Sequence, residues 1–137
     1  MATDRVKRRT RKDFGLPKEE RLRLASELER VVKEGRRFRE GVLTAIVLKT
    51  DEPVRKVAFS VGRKVSRKAT CRNKVRRWLR EAYRTLKPHW RSGFWTLLVA
   101  HPGADASNFW EIRQCLQRLA IRAGLATDNS SGNREKP

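Results

Sequence analysis

Five arginines, Arg72, Arg76, Arg77, Arg80 and Arg84, recur at helical spacing within ATCRNKVRRWLREAYR, residues 69–84. Each guanidinium is a planar, permanently charged fork whose donors match phosphate oxygens. Asn73 adds a neutral donor and acceptor at the start of the same arc, and Lys74 follows it. Just upstream, Arg63, Lys64, Arg67 and Lys68 crowd a short connection, GRKVSRKA. Residues 63–91 hold twelve bases and one acid, Glu81, and so carry eleven of the nineteen net positive charges. A solvated helical face normally mixes signs, and like charges four residues apart repel. A polyanion relieves that repulsion, so the arginine arc is read as pointing into solvent toward a phosphate-bearing partner.

Chemistry beyond binding has little support. His89 and His101 show neither HxxxH nor HExxH spacing and read as ordinary surface or satisfied histidines. The glycines form neither GxGxxG nor GxxxxGK[ST]. Asp51 and Glu52 are adjacent turn residues, and Ser60 and Ser66 have no base nearby in sequence. Cys71 and Cys115 form no CxxC pair and read as reduced thiols of a cytosolic protein. Trp78, Trp95 and Trp110 lie in apolar patterns and read as core, with Trp90 in a loop. No catalytic residue and no metal ligand is expected.

The elements that must position the basic arc follow from patterning. The 137 residues suit one domain, and 38% hydrophobic content can supply one core. A charge of +19 attracts polyanions, nucleic acid first and an anionic membrane second. No apolar run is long enough to span a bilayer, and no apolar stretch follows the basic N-terminus as in a secretory signal. Residues 1–16 read as a flexible basic arm and 126–137 as a disordered tail. Between them, Leu22, Leu24, Ala25, Leu28, Val31 and Val32 predict a first helix over 18–34, stopped by Gly35. Residues 42–49 and 56–61 predict two strands joined as an antiparallel hairpin. The basic helix is expected over 70–87, with Val75, Trp78, Leu79, Ala82 and Leu86 facing the core. A strand over 94–100 and a last helix capped by Ser107 complete the series. The fold class is α+β: a single-domain sandwich, one small mixed sheet with helices packed on it.

The stretch KVAFSVGRKVSRKATCRNKVRRWLREAYR, residues 56–84, resembles the strand, basic loop and Arg-Asn-Arg helix of the bacterial ribonuclease P protein component. Arg21-Leu22, Leu28, Val32 and Gly35 resemble that family's first helix and its stop, and the likeness runs from about Arg21 to Gly124. The resemblance implies a left-handed β-α-β crossover around the basic helix. It implies a catalytic RNA subunit that uses Mg²⁺ to remove the 5′ leader of precursor tRNA in the cytoplasm, with a protein that binds both RNAs. No membrane and no protein partner is implied. Arg72, Asn73 and Lys74 take the Arg-Asn-Arg places, with lysine last. Arg63, Lys64, Arg67, Lys68, Arg76, Arg77, Arg80 and Arg84 carry over as RNA contacts. The family's leader cleft lies between the first helix and the sheet. Leu28, Val32 and Ile46, with Thr44 nearby, stand there instead of the family's frequent aromatics. Grip by shape and backbone charge is then expected in place of stacking, and Leu28 is equally readable as core. The reading from another class is a basic ribosomal or RNA-chaperone protein; the register of residues 56–84 favours ribonuclease P.

Overall fold

Two runs in this chain, LTAIVLK and FWTLLVA, are apolar on both faces. Such strands belong at the centre of a sheet, covered on both sides. The computed structural model, which describes residues 18–126, places them there. Strands β1 (Arg36–Glu40), β2 (Leu43–Lys49), β3 (Arg55–Ser60) and β4 (Phe94–Ala100) form one mixed sheet in the order β1-β2-β4-β3. β2 is antiparallel to β1 and to β4, while β3 runs parallel to β4. The expected arm over 1–16, and all of the expected tail except Ala126, lie outside the described residues. Ala126 itself bridges to Trp90.

The expected hairpin between residues 42–49 and 56–61 is not formed. β4 inserts between these strands, because β3 carries Lys56 and an exposed Ser60 on one face and suits an edge. The hairpin partner of β2 is β1, which the sequence reading missed. RRFRE has too little apolar character to signal a strand, yet it closes the other edge with exposed Arg36, Arg37 and Arg39. Charged edges of this kind discourage pairing with other chains. The turn between β1 and β2 depends on Gly41, at φ 58°.

Helices cover both faces. α1 (Ala25–Glu34) lies on one; α2 (Ala69–Leu86) and α3 (Phe109–Arg122) lie on the other. The first helix begins later than expected. Lys18–Glu20 is a 3-10 turn, and the Leu22 N–H donates to the Val57 carbonyl at 3.0 Å, so this segment lies along the edge of β3. Gly35 ends α1 without a left-handed conformation. A Cβ there would stand 2.5 Å from the Val31 carbonyl oxygen and 2.9 Å from Ile46 Cγ2, so the glycine is set by close packing of helix on sheet. Asn108 caps α3, accepting from the Glu111 N–H at 3.0 Å; Ser107 does not.

The larger core lies between the sheet and α2–α3. It includes Leu43, Val57, Val75, Leu79, Tyr83, Leu98, Ile112 and Leu116. A smaller cluster, Leu22, Val31, Ile46, Leu48 and Trp95, lies under α1. Trp90 lies between elements, as expected, but is buried against Tyr83, whereas Trp110 is 69% exposed. Trp78 is half-buried and Trp95 fully so, so of the tryptophans read as core only Trp95 is wholly inside.

Candidate nucleic-acid interface

α2 buries Val75, Leu79, Ala82, Tyr83 and Leu86 and turns its basic residues away from that face. They do not all reach open solvent. The Arg72 Nη1 donates to the Ser66 and Arg67 carbonyls at 3.1 and 3.0 Å. The Arg76 Nη1 donates to Asn73 Oδ1 at 2.8 Å and its Nη2 to the Val61 carbonyl at 3.3 Å. These bonds tie the loop after β3 to the first turns of α2. Two of the arginines expected in the solvent arc therefore also shape the loop that carries the other cations.

That loop holds Arg63, Lys64, Arg67 and Lys68, all exposed; Arg63, Lys64 and Arg67 line one open depression. Arg77 is exposed on the helix beside them. Among the described residues none of these five cations enters an ion pair. Arg80 is half-buried, and its guanidinium is held below the usual arginine range, first by burial and then by the charges of Arg21 and Arg76. Arg21 was not foreseen as part of this surface: its place beside α2 depends on the Arg21–Val57 bridge, which no local pattern signals. At the other end, the Arg84 Nη2 donates to Glu81 Oε1 at 2.8 Å, and this bond raises the Arg84 guanidinium further. Lys74 sits 5.1 Å from the centre of the Trp78 ring. Positive charge thus concentrates from loop 62–68 along the outer side of α2 to Arg80 and Arg21.

The second candidate surface is the sheet face beside α1. Leu28 is half-buried against the small cluster that contains Ile46, but Ile46 is only 2% exposed and is core. Val32 is 43% exposed and does not join the cluster; Val31, one residue earlier, is the buried one. Thr44 lies two residues from Ile46 on the same sheet face, its Oγ1 2.6 Å from His101 Nε2. Burial, and then the nearby Arg39 charge, hold the His101 imidazole below its usual range. The structure thus joins Leu28 to Ile46, pairs Thr44 with His101 and leaves Val32 apart. Alternation along β4 adds Leu97 and Val99, half-buried on this same face with Ala58. Trp95 completes it: its buried indole N–H has no partner among the described residues, and Arg30 and Lys56 stand 5.6 and 5.3 Å from its ring centre. Lys56 is anchored to Glu27 at 2.9 Å; burial pushes that carboxyl up, but Lys56 and backbone bonds leave it below its usual range overall.

Among the described residues no three His, Cys, Asp or Glu side chains gather to hold a metal ion. Cys71 and Cys115 are both free, and the Cys115 Sγ donates to the Glu40 carbonyl at 2.8 Å. No helix among the described residues is long and apolar enough to cross a membrane.

Comparison with known proteins gives one answer. The family model described as Ribonuclease P matches residues 16–124. The ribonuclease P protein component of a Picosynechococcus species is 36% identical over 110 residues, covering 80% of this chain and 95% of the relative. That of Symbiobacterium thermophilum is 37% identical over 107 residues, covering 77% and 91%. The solved RNase P protein of Thermotoga maritima superposes with a TM-score of 0.68 at 30% identity, covering 75% of this chain and 96% of its own. The Staphylococcus aureus RNase P protein gives a TM-score of 0.73 at 20% identity, a likeness of fold, covering 80% and 100%.

Proposed function

The chain belongs to the bacterial ribonuclease P protein family, and we propose that it binds a catalytic RNA and the 5′ leader of precursor tRNA, promoting removal of the leader in the cytoplasm. One observation carries the reading of the RNA surface. Burial first, and then the like charges of Arg21, Arg76 and Arg77, hold the Arg80 guanidinium below its usual range, with Glu81 opposing them. Holding guanidinium groups together costs free energy that a phosphate backbone offsets. The exposed cations of loop 62–68 and Arg77 extend that surface and would bind phosphates without first breaking ion pairs.

The leader is assigned to the face beside α1. Leu28, Leu97, Val99 and Ala58 offer a half-exposed apolar floor, with Thr44 and His101 at one end and Lys56 and Arg30 at the other. Ile46 supports this floor from within, and Val32 is not part of it. The protein would position its RNAs, and the hydrolytic step is assigned to the RNA with its own Mg²⁺, as membership of the family implies.

Reconstitution tests the reading. Added to a bacterial ribonuclease P RNA and precursor tRNA at low Mg²⁺, the protein should stimulate release of the 5′ leader, and alone it should cleave nothing. Cleavage by the RNA-free protein with Mg²⁺, or failure to stimulate the RNA, would overturn it. A basic ribosomal or chaperone protein would bind structured RNAs without this stimulation.

A further inference from the structure

α2 and α3 run side by side in the same direction. The Arg113 Nε donates to Thr85 Oγ1 at 3.0 Å, and further along both chains Trp90 bridges Ala126. One turn back from the Thr85–Arg113 contact, α2 carries Glu81 and α3 is in its first turn. That turn presents Phe109 and Trp110. Phe109 packs partly into the main core, and its ring meets Trp110 edge-on with centroids 4.9 Å apart at 71°. Trp110 is 69% exposed. Its indole is a large apolar plate, braced by a rooted neighbour and left in water.

The charge around it favours one kind of occupant. Arg113 lies one turn along on α3, fixed to Thr85. Lys74, about three turns before Thr85 on the same flank of α2, adds a cation farther along, over Trp78. Glu81, the acid on that flank, is bonded to Arg84, and the exposed Glu111 beside Trp110 sits in the first turn of α3, where the helix N-terminus offsets its charge. An apolar plate beside a cationic border suits a nucleobase, whose flat face stacks while its phosphate meets the cations. A second copy of this chain would bring the same positive charge to the same place. We propose that Trp110, braced by Phe109 and one turn from Arg113, is a stacking site for an unpaired nucleobase of bound RNA. It lies on the α3 side of the basic helix, away from the α1 face assigned to the leader. The inference rests on the RNA-binding reading of α2 and adds a site to it.

The test uses the full chain and two labelled probes, an adenosine decanucleotide and an RNA duplex of equal phosphate number. Trp110→Ala should weaken the decanucleotide by about tenfold, leave the duplex within twofold and leave the dependence on salt unchanged, since no phosphate contact is lost. Trp110→Tyr should restore most of the affinity. An unchanged melting temperature shows that Trp110→Ala still folds. Equal affinity of Trp110→Ala and the parent for the decanucleotide overturns the proposal, as does an equal loss on both probes. Loss of self-association in light scattering, with RNA affinity intact, would assign the plate to a second copy instead. Arg77→Glu serves as the control: if it weakens both probes while Trp110→Ala weakens neither, only the stacking site fails. If Arg77→Glu also changes nothing, the RNA-binding reading itself fails.

Discussion

Arg72 and Arg77 stand five residues apart on the same helix, yet their substitution should read out differently. Arg72 donates to two loop carbonyls, so Arg72→Ala should lower stability by about 1 kcal/mol and loosen the loop that carries Arg63 and Lys64. Arg77 is exposed and enters no ion pair among the described residues, so Arg77→Glu should leave the melting temperature unchanged. It should weaken RNA binding and lower the slope of log K against log salt by about one unit. Thermal melts and salt titrations on both variants check this; a stability loss in Arg77→Glu with no change of slope would count against its role. Sequence periodicity set all five arginines on one arc pointing into solvent, but it could not show that Arg72 and Arg76 turn back to carbonyls contributed by a loop. His101 makes a second residue-scale case. Its folded pKa lies below the usual value near about 6.5, through burial first and Arg39 second. The unfolded chain therefore takes up this proton at a higher pH than the folded one. The stabilising contribution is present above that unfolded value and is lost as pH falls through the folded one. Urea unfolding at several pH values should show a steeper acid loss in the parent than in His101→Gln.

At the scale of elements, long periodic segments were legible and pairings were not. The basic helix and the strands over 42–49, 56–61 and 94–100 appear within one or two residues of their expected bounds, because each has an unbroken hydrophobic period. β1 was hidden because an edge strand needs only one inward apolar residue, here Phe38. The hairpin was misassigned because adjacency in sequence says nothing about a later strand inserting between two earlier ones. Gly35 shows how an element junction depends on such long-range facts. It was read as a helix stop from its type alone, while its necessity comes from Ile46 on β2 and from the Val31 carbonyl. Gly35→Ala would need α1 to move off the sheet, since neither a backbone oxygen nor a buried Ile46 yields readily. The expected cost is about 1–3 kcal/mol, as for other overpacked sites, measured by urea unfolding. Because α1 forms one wall of the face proposed for the leader, affinity for precursor tRNA should fall more than affinity for mature tRNA.

For the whole molecule, the sheet separates two surfaces. α2 with its loop lies on one side, and α1 with the half-exposed floor of Leu97, Val99 and Ala58 lies on the other. The overall charge pointed to a polyanion but could not show that the chain has two separate faces; that division follows from α1 covering one side of the sheet and α2 with α3 the other. It has a thermodynamic consequence. Leu28 is half-buried beside the small cluster under α1, so Leu28→Ala should cost less than the 2–5 kcal/mol of a fully buried leucine. It should weaken precursor tRNA with a long leader and leave mature tRNA nearly unchanged. Arg77→Glu should weaken the catalytic RNA whatever the leader. Substitutions at distant sites without shared partners usually add within about 0.5 kcal/mol. Binding of precursor tRNA to the reconstituted ribonucleoprotein should therefore show, in the double variant, the sum of the single losses. Measuring all four proteins against long-leader and leaderless substrates closes the cycle. A coupling well above that margin would mean that one continuous RNA path links the two faces around the β3 edge, where Arg21 and Arg80 meet.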